Sequence, residues 1–325
     1  MDELKKTIKD YNQKISDSSI RIYALNITKL YKELGGEGDV KVSLFEKTEP
    51  VLKHIDEMKG TDNTKKNKLS SIISFLLASK VSKDIIDKYS NKIASYSDNI
   101  EKVKSEMKWS EKEEKNVLSV NDIETYISLL KSKLPNEPKT YKDFLEWMYY
   151  LVSAFHINFP LRNDLGNAEI YSTSEFKKIE PNKDTNYLII NSKDLTIKVI
   201  LNKYKTKKTY GEIDFMITDK ELVSDFIKYY KLVKPYVIAY NNGDYNHSLF
   251  FDRDFKKFSS NEFSRFFERA LDGTGKHLTT TMIRKIVVSS LYDIGKMKKL
   301  AYVMGHSLQM QLTDYSKQTV KDKLN

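Results

Sequence analysis

The stretch IRKIVVSSLYDIGKMKKLAYVMGHSLQMQLTDYSK, residues 283–317, decides how the rest of the chain is read. Arg284 opens it among apolar residues, where a buried charge is costly unless a partner meets it. His306 follows 22 residues later, directly behind Gly305, and Tyr315 comes nine residues after that. The chain has 5 histidines and 21 tyrosines, so neither residue type alone marks a site. The order and spacing do.

The bulk composition narrows the chemistry. A chain of 325 residues exceeds one small core, so two domains are expected. The absence of cysteine excludes disulfides, thiolate zinc sites and a cysteine nucleophile. The formal charge of +10 favours a polyanionic partner, although a Lys-, Asn- and Ile-rich chain also arises from an AT-rich genome. No apolar run reaches the roughly 20 residues of a membrane helix. The opening MDELKKTIKDYNQ is too charged for a signal peptide, so a secreted protein is not expected. Neither GxxxxGK[ST], GxGxxG nor HExxH occurs, and no two of His54, His156, His247, His277 and His306 share metal-ligand spacing. No nucleotide, metal or other cofactor is expected.

The first third reads as helical. Ser18 and Ser19 precede a helix with Ile20, Tyr23, Ala24, Ile27, Leu30 and Leu34 on one face, stopped by Gly35 and Gly36. Pro50 suits the start of a second, Asn63 and Thr64 the cap of a third, and a fourth runs from about Ser82. In the fourth, Tyr89, Ile93, Tyr96, Ile100, Val103 and Met107 make a narrow stripe suited to packing in a bundle. Trp109 to Ser119 is charged and reads as a linker. Ser119 with Asp122, then Thr140 with Asp143, form capping boxes before two further helices, the second strongly apolar and ended by Pro160. NYLIINS, DLTIKVILN and GEIDFMI read as three strands of a small antiparallel sheet. A helix from Thr218 is expected to stop before Pro235, followed by the short apolar run YVIAY. Ser259 or Ser260 caps the next helix, and Thr280 or Thr281 the one carrying Arg284. Gly295 and Gly305 separate the closing segments. The expected fold is mainly α with a small antiparallel β-sheet: a helical domain over 1–108, a linker over 109–118, and a mixed α+β domain over 119–325.

Metal-free cleavage of a DNA phosphodiester needs a nucleophile, fixed cations for the non-bridging oxygens and a proton for the leaving oxygen. A Tyr hydroxyl forms a reversible phosphate ester. Arginines grip phosphate with a charged fork. Lys or His serves as general acid. Candidates occur in order: Arg162 in FPLRNDLG, Lys205 in NKYKTKKTYGEIDF, then Arg284, His306 and Tyr315. This order resembles the tyrosine recombinases, or phage-type integrases. Their pattern is Arg, a β-hairpin Lys, His-x-x-Arg, Gly-His and Tyr. SDSSIRIYALNITKLYKEL resembles the opening helix of the family's DNA-clamping core-binding domain, and LSVNDIETYISLL the first helix of its catalytic domain. The resemblance spans most of the chain and is densest over 119–318.

The resemblance implies that Tyr315 attacks the scissile phosphate and forms a 3′-phosphotyrosyl link. Arg162 and Arg284 would clamp the phosphate, His306 would add a donor, and Lys205 would protonate the 5′-hydroxyl. Strand exchange would then need neither ATP nor metal. Double-stranded DNA is the implied partner, held in a clamp of two domains, with two or four protomers on paired sites. The protein would work wherever that DNA resides, in cytoplasm or nucleus, with a mobile element or large DNA virus as its source. Three departures stand out. Thr281 occupies the place of the usual His before Arg284, with His277 a helical turn too early to replace it simply. Leu165 stands where an acid is usual, with Asp164 just before it. Lys203, Lys207 and Lys208 compete with Lys205. Only ten residues follow Tyr315, so contacts between protomers are expected elsewhere or from its own helix. The alternatives are a type IB topoisomerase and a catalytically inactive DNA-binding relative.

Overall fold

The computed structural model describes residues 1–291 and 294–316, and the chain after Ser316, with its expected short tail, lies outside the described residues. The chain divides into two compact units, Met1–Glu106 and Met107–Asn325.

The first unit is helical: α1 (Asp2–Tyr11), α2 (Asp17–Glu33), α3 (Val42–Glu46), α4 (Thr48–Glu57), α5 (Asp62–Ala78) and α6 (Lys83–Ser105). Ser16, rather than Ser18 or Ser19, caps α2, and Thr61 caps α5 ahead of the expected Asn63 and Thr64. In each case the hydroxyl accepts the N–H three residues on, which satisfies an otherwise orphaned donor. Pro50 lies in the first turn of α4, where its missing N–H costs nothing. The core joins Ile20, Ala24, Ile27 and Leu30 of α2 to Leu69, Ile72 and Leu76 of α5 and to Phe45 and Tyr89. The stripe of α6 is buried only in its first half: Tyr89 is fully covered and donates to the Phe45 carbonyl, whereas Val103 is 68 % exposed.

In the second unit, the stretch expected to be a linker carries a short helix, α7 (Glu111–Glu114), and is fastened down within this unit. Glu113 pairs with Lys285, the Lys276 ammonium donates to the Lys115 carbonyl, and the His277 N–H donates to Asn116. The two capping boxes begin α8 (Val120–Ser132) and α9 (Tyr141–Asn158) as read from sequence. Nearly every residue in the second half of α9 is buried, so it is the axis of the unit's core.

The sheet has four strands: β1 (Glu169–Ser172), β2 (Tyr187–Asn191), β3 (Thr196–Leu201) and β4 (Ile213–Ile217), in that spatial order. The expected three are antiparallel neighbours, but β1, missed in the four residues EIYS, adds parallel to β2 and makes the sheet mixed. A one-turn helix, α10 (Thr173–Phe176), follows β1. It covers one face of β2, where Tyr187 and Ile189 pack with Tyr171 and Phe176, while Leu188 and Ile190 join the main core. That double coverage explains why β2 is a continuous apolar run. The β3–β4 connection contains a short helix, α11 (Lys207–Tyr210).

The next helix, α12 (Lys220–Tyr240), is capped by Asp219 and does not stop at Pro235. Proline removes one donor there. Val233 and Val237 are nonetheless buried on either side, and Tyr236 packs on Phe144 at 4.3 Å, so burial overrides the break. Four more helices follow among the described residues: α13 (Ser260–Leu271), α14 (Thr280–Ser289), α15 (Ile294–Val303) and α16 (Leu308–Met310). Ser259 caps α13. Thr279, one residue before the expected Thr280, caps α14. Gly295 lies inside α15 rather than ahead of it. A single π-helical turn, Gln311–Tyr315, follows α16.

Between α9 and β1, a 3₁₀ turn over Asn163–Asn167 rests on α13. A Cβ at Gly166 would come within 2.9 Å of Phe263 Cβ and 3.2 Å of the Phe258 carbonyl. Gly166→Ala is expected to cost about 1–3 kcal/mol by overpacking, read as a lower urea midpoint with an unchanged slope.

Candidate active site

Four of the five residues singled out by sequence are fixed around one point. Arg284 sits on α14 and is only 2 % exposed. Its guanidinium carbon lies 4.2 Å from the centre of the Tyr315 ring. The imidazole of His306 stacks on the same ring, with centroids 5.1 Å apart and planes 17° apart. Tyr315 is itself 8 % exposed and packs against Val288, Leu300 and Met304. Ser289 holds the end of the π turn by donating to the Tyr315 carbonyl at 3.2 Å. Arg162 reaches the same loop from the other side, its Nη1 donating to the Met304 carbonyl at 3.2 Å.

The electrostatics of this group are incomplete. Nε and Nη2 of Arg284 are buried without a hydrogen-bond partner, as is Nε2 of His306. Burial pushes the Arg284 guanidinium down to about 10, with Tyr315 opposing that shift and Arg162 adding to it, so it stays charged at neutral pH. A desolvated cation with two unmet donors costs free energy unless an anion completes it. The His306 Nδ1 lies 3.1 Å from the Ser307 carbonyl, which assigns its proton to that nitrogen and leaves a lone pair on Nε2. Burial holds this imidazole near a pKa of about 4, so it is neutral. A neutral ring in this tautomer accepts at Nε2. It donates there only once protonated. Asp164 is the acid of the group: burial pushes its carboxyl up to about 6, against the pull of Arg162 and Arg284.

Lys205 lies on the β3–β4 connection and its side chain is exposed. Its neighbour Thr206 donates to the Gly305 carbonyl at 2.5 Å, which ties that connection to the residue before His306. Gly305 has φ +63°, and a Cβ there would meet Tyr204 Cε2 at 2.8 Å and Thr206 Oγ1 at 3.2 Å. Glycine is therefore required twice, for conformation and for close approach. Thr281 is exposed in the first turn of α14, three residues before Arg284. Its neighbour Thr280 is buried and donates to Asn163 at 2.9 Å. His277 lines a recess of about 580 Å³ with Glu262, Arg265, Arg269 and Asp272, a lining that does not include Tyr315.

Three residues near the site carried no sequence signal. Gln311 is completely buried one turn before Tyr315, with both amide ends unpartnered. Asn186 bonds to both the Arg162 segment and the β3–β4 connection. His156 lies under Arg162: its Nδ1 is 2.8 Å from the Val152 carbonyl and its Nε2 3.4 Å from the Arg162 carbonyl. Among the described residues no three His, Asp or Glu side chains gather where they could hold a metal ion, and no helix is long and apolar enough to cross a membrane.

Two outcomes follow from this geometry. Gly305→Ala is expected to lower stability by a few kcal/mol through backbone strain and overpacking, read by thermal denaturation. Burial lowers the pKa of His156 from 6.5 to about 4, so the folded protein binds it neutral while the unfolded chain takes up a proton. The stability this gives is present above pH 6.5 and is lost as the pH falls towards 4. Asp164, whose shift has the opposite sign, is unchanged in a His156→Leu variant. That variant should therefore show a shallower loss of stability than the wild type from pH 6.5 to 4 in denaturant titrations.

No family model and no curated protein matches the sequence. Solved structures do match. The structure of the Tn1549 transposon integrase in complex with transposon right end DNA aligns with a TM-score of 0.55 at 15 % identity, covering 99 % of this chain and 96 % of that one. The crystal structure of XerA recombinase aligns over 99 % and 96 % at 14 % identity, with a TM-score of 0.43. The mainly helical chain with its four-stranded mixed sheet thus shares the fold of the Tn1549 transposon integrase.

Proposed function

We propose that the protein is a site-specific DNA recombinase that cleaves and rejoins a phosphodiester through Tyr315. The observation that carries this reading is the buried Arg284, with two unmet donors, packed against Tyr315 and beside the bare Nε2 of His306. A phosphodiester supplies the missing charge and acceptors in one group. The Tn1549 integrase structure holds transposon DNA, which supports duplex DNA as the partner.

In this reading the Tyr315 phenol oxygen attacks phosphorus and the P–O5′ bond breaks. The phenol proton passes to Nε2 of His306. The resulting imidazolium donates to a non-bridging oxygen, the role of additional donor expected for it. Arg284 and Arg162 hold the charge that builds on those oxygens. The Lys205 ammonium gives its proton to O5′. Reversal by a second DNA end completes strand exchange, with the energy of the broken bond kept in the phosphotyrosyl ester. The exposed Thr281 has room to donate to phosphate but does not move a proton at neutral pH. Both units take part in binding the duplex, and two or four protomers meet on paired sites.

Nicked duplexes randomised around the nick test this reading, because loss of the short strand traps a covalent adduct. The wild type is expected to give a detergent-resistant adduct and Tyr315→Phe none. Arg284→Ala and Lys205→Ala should each slow adduct formation by about 100-fold or more. Adduct formation by Tyr315→Phe, or none by the wild type, would overturn the reading. Relaxation of supercoiled DNA at sub-stoichiometric protein, without recombinant products, would instead identify a topoisomerase.

A further inference from the structure

We propose that Asn186 is a positioning residue for proton delivery, holding the Lys205 turn in register with the arginine segment. This inference rests on the reading above that Lys205 is the general acid.

Asn186 lies just before β2 and is completely buried. Its Nδ2 donates to the Asp164 carbonyl at 2.7 Å and to the Lys203 carbonyl at 3.0 Å. Its Oδ1 accepts from the N–H groups of Asn202 at 2.8 Å and Lys203 at 2.7 Å. One side chain therefore joins the turn that follows Arg162 to the start of the β3–β4 connection. Nδ2 also donates to the Asn167 side-chain oxygen at 3.3 Å, the longest of the five bonds, while the four shorter ones all go to main chain, so the amide chiefly sets backbone positions. A buried amide with both ends satisfied is rigid, since each bond lost leaves a desolvated polar group.

The second fastening is on the far side of Lys205. Thr206 donates to the Gly305 carbonyl next to His306. Lys205 thus lies between two anchors, Lys203 on the Arg162 side and Thr206 on the His306 side. Its own side chain is long, flexible and exposed. A lysine of this kind delivers a proton efficiently only if its backbone is held at a fixed distance from the phosphate seat. Asn186 has no route to the phosphate itself. Its effect must pass through Lys203 and Asp164.

The test uses chemistry that bypasses the general acid. In ordinary DNA, breaking P–O5′ releases an alkoxide that takes the Lys205 proton. With sulfur at the 5′ bridging position, the P–S bond breaks and the thiolate leaves without a proton, because thiols are far more acidic than alcohols. In Asn186→Asp the donated bonds are replaced by an oxygen facing the Asp164 and Lys203 carbonyls, so the mount loosens. The expected result is cleavage of ordinary DNA slowed by about 10- to 100-fold, with DNA affinity unchanged and cleavage of sulfur-bridged DNA at the wild-type rate. Lys205→Ala should be rescued in the same way, and Arg284→Ala should not. Thr206→Val, which keeps the shape and removes only the Gly305 bond, should repeat the pattern if Asn186→Asp does not fold. An unimpaired variant, or impairment that sulfur does not relieve, overturns the proposal while leaving the wild-type adduct intact. Absence of a wild-type adduct on either DNA overturns the reading beneath it instead.

Discussion

The second unit depends on the burial of one charge. Arg284 is enclosed on α14, yet two of its donors meet nothing. A fold that only needed stability would replace such a side chain with an apolar one. Here the ring of Tyr315 covers the guanidinium at 4.2 Å, which offsets part of the cost by a cation–π contact. An anion would meet the remaining cost. In the proposed function the unsatisfied arginine is a preformed seat, and the elements around it serve to keep that seat in shape.

Three connections meet here, two of them tied to the third by side-chain hydrogen bonds to its carbonyls. The segment after α9 brings Arg162, which grips the Met304 carbonyl. The β3–β4 connection brings Lys205 and is tied to Gly305. The loop between α15 and α16 brings His306, in a backbone conformation that needs Gly305. Arg162, Lys205 and His306 therefore stand on irregular segments and Arg284 on α14, while α9, α13 and the sheet supply the rigid frame beneath them. The π turn at Tyr315 belongs to the same pattern, since such turns recur at functional sites.

Much of this was legible in the sequence because it is local. Capping boxes at Ser119 and Thr140, the alternation in β3 and the spacing from Arg284 through His306 to Tyr315 each depend on neighbours within a few turns. What the sequence hid depends on distant partners. Pro235 reads as a helix end, and only the burial of Val233 and Val237 against the core keeps α12 going. β1 is four residues long and gains its identity from pairing with β2. Asn186 looks like any turn residue until Asp164 and Lys203, one 22 positions before it and one 17 after it, close on its amide. The tautomer of His306 likewise comes from the Ser307 carbonyl and not from the Gly-His motif.

The central claim is that Arg284 and His306 form a seat for a phosphodiester beside Tyr315. A crystal structure of the Tyr315→Phe protein on duplex DNA tests it most directly. The account predicts one backbone phosphate with its non-bridging oxygens at hydrogen-bond distance from Nε and Nη2 of Arg284, and Nε2 of His306 alongside. Duplex DNA bound with every phosphate remote from Arg284, its two donors still unmet, would contradict it.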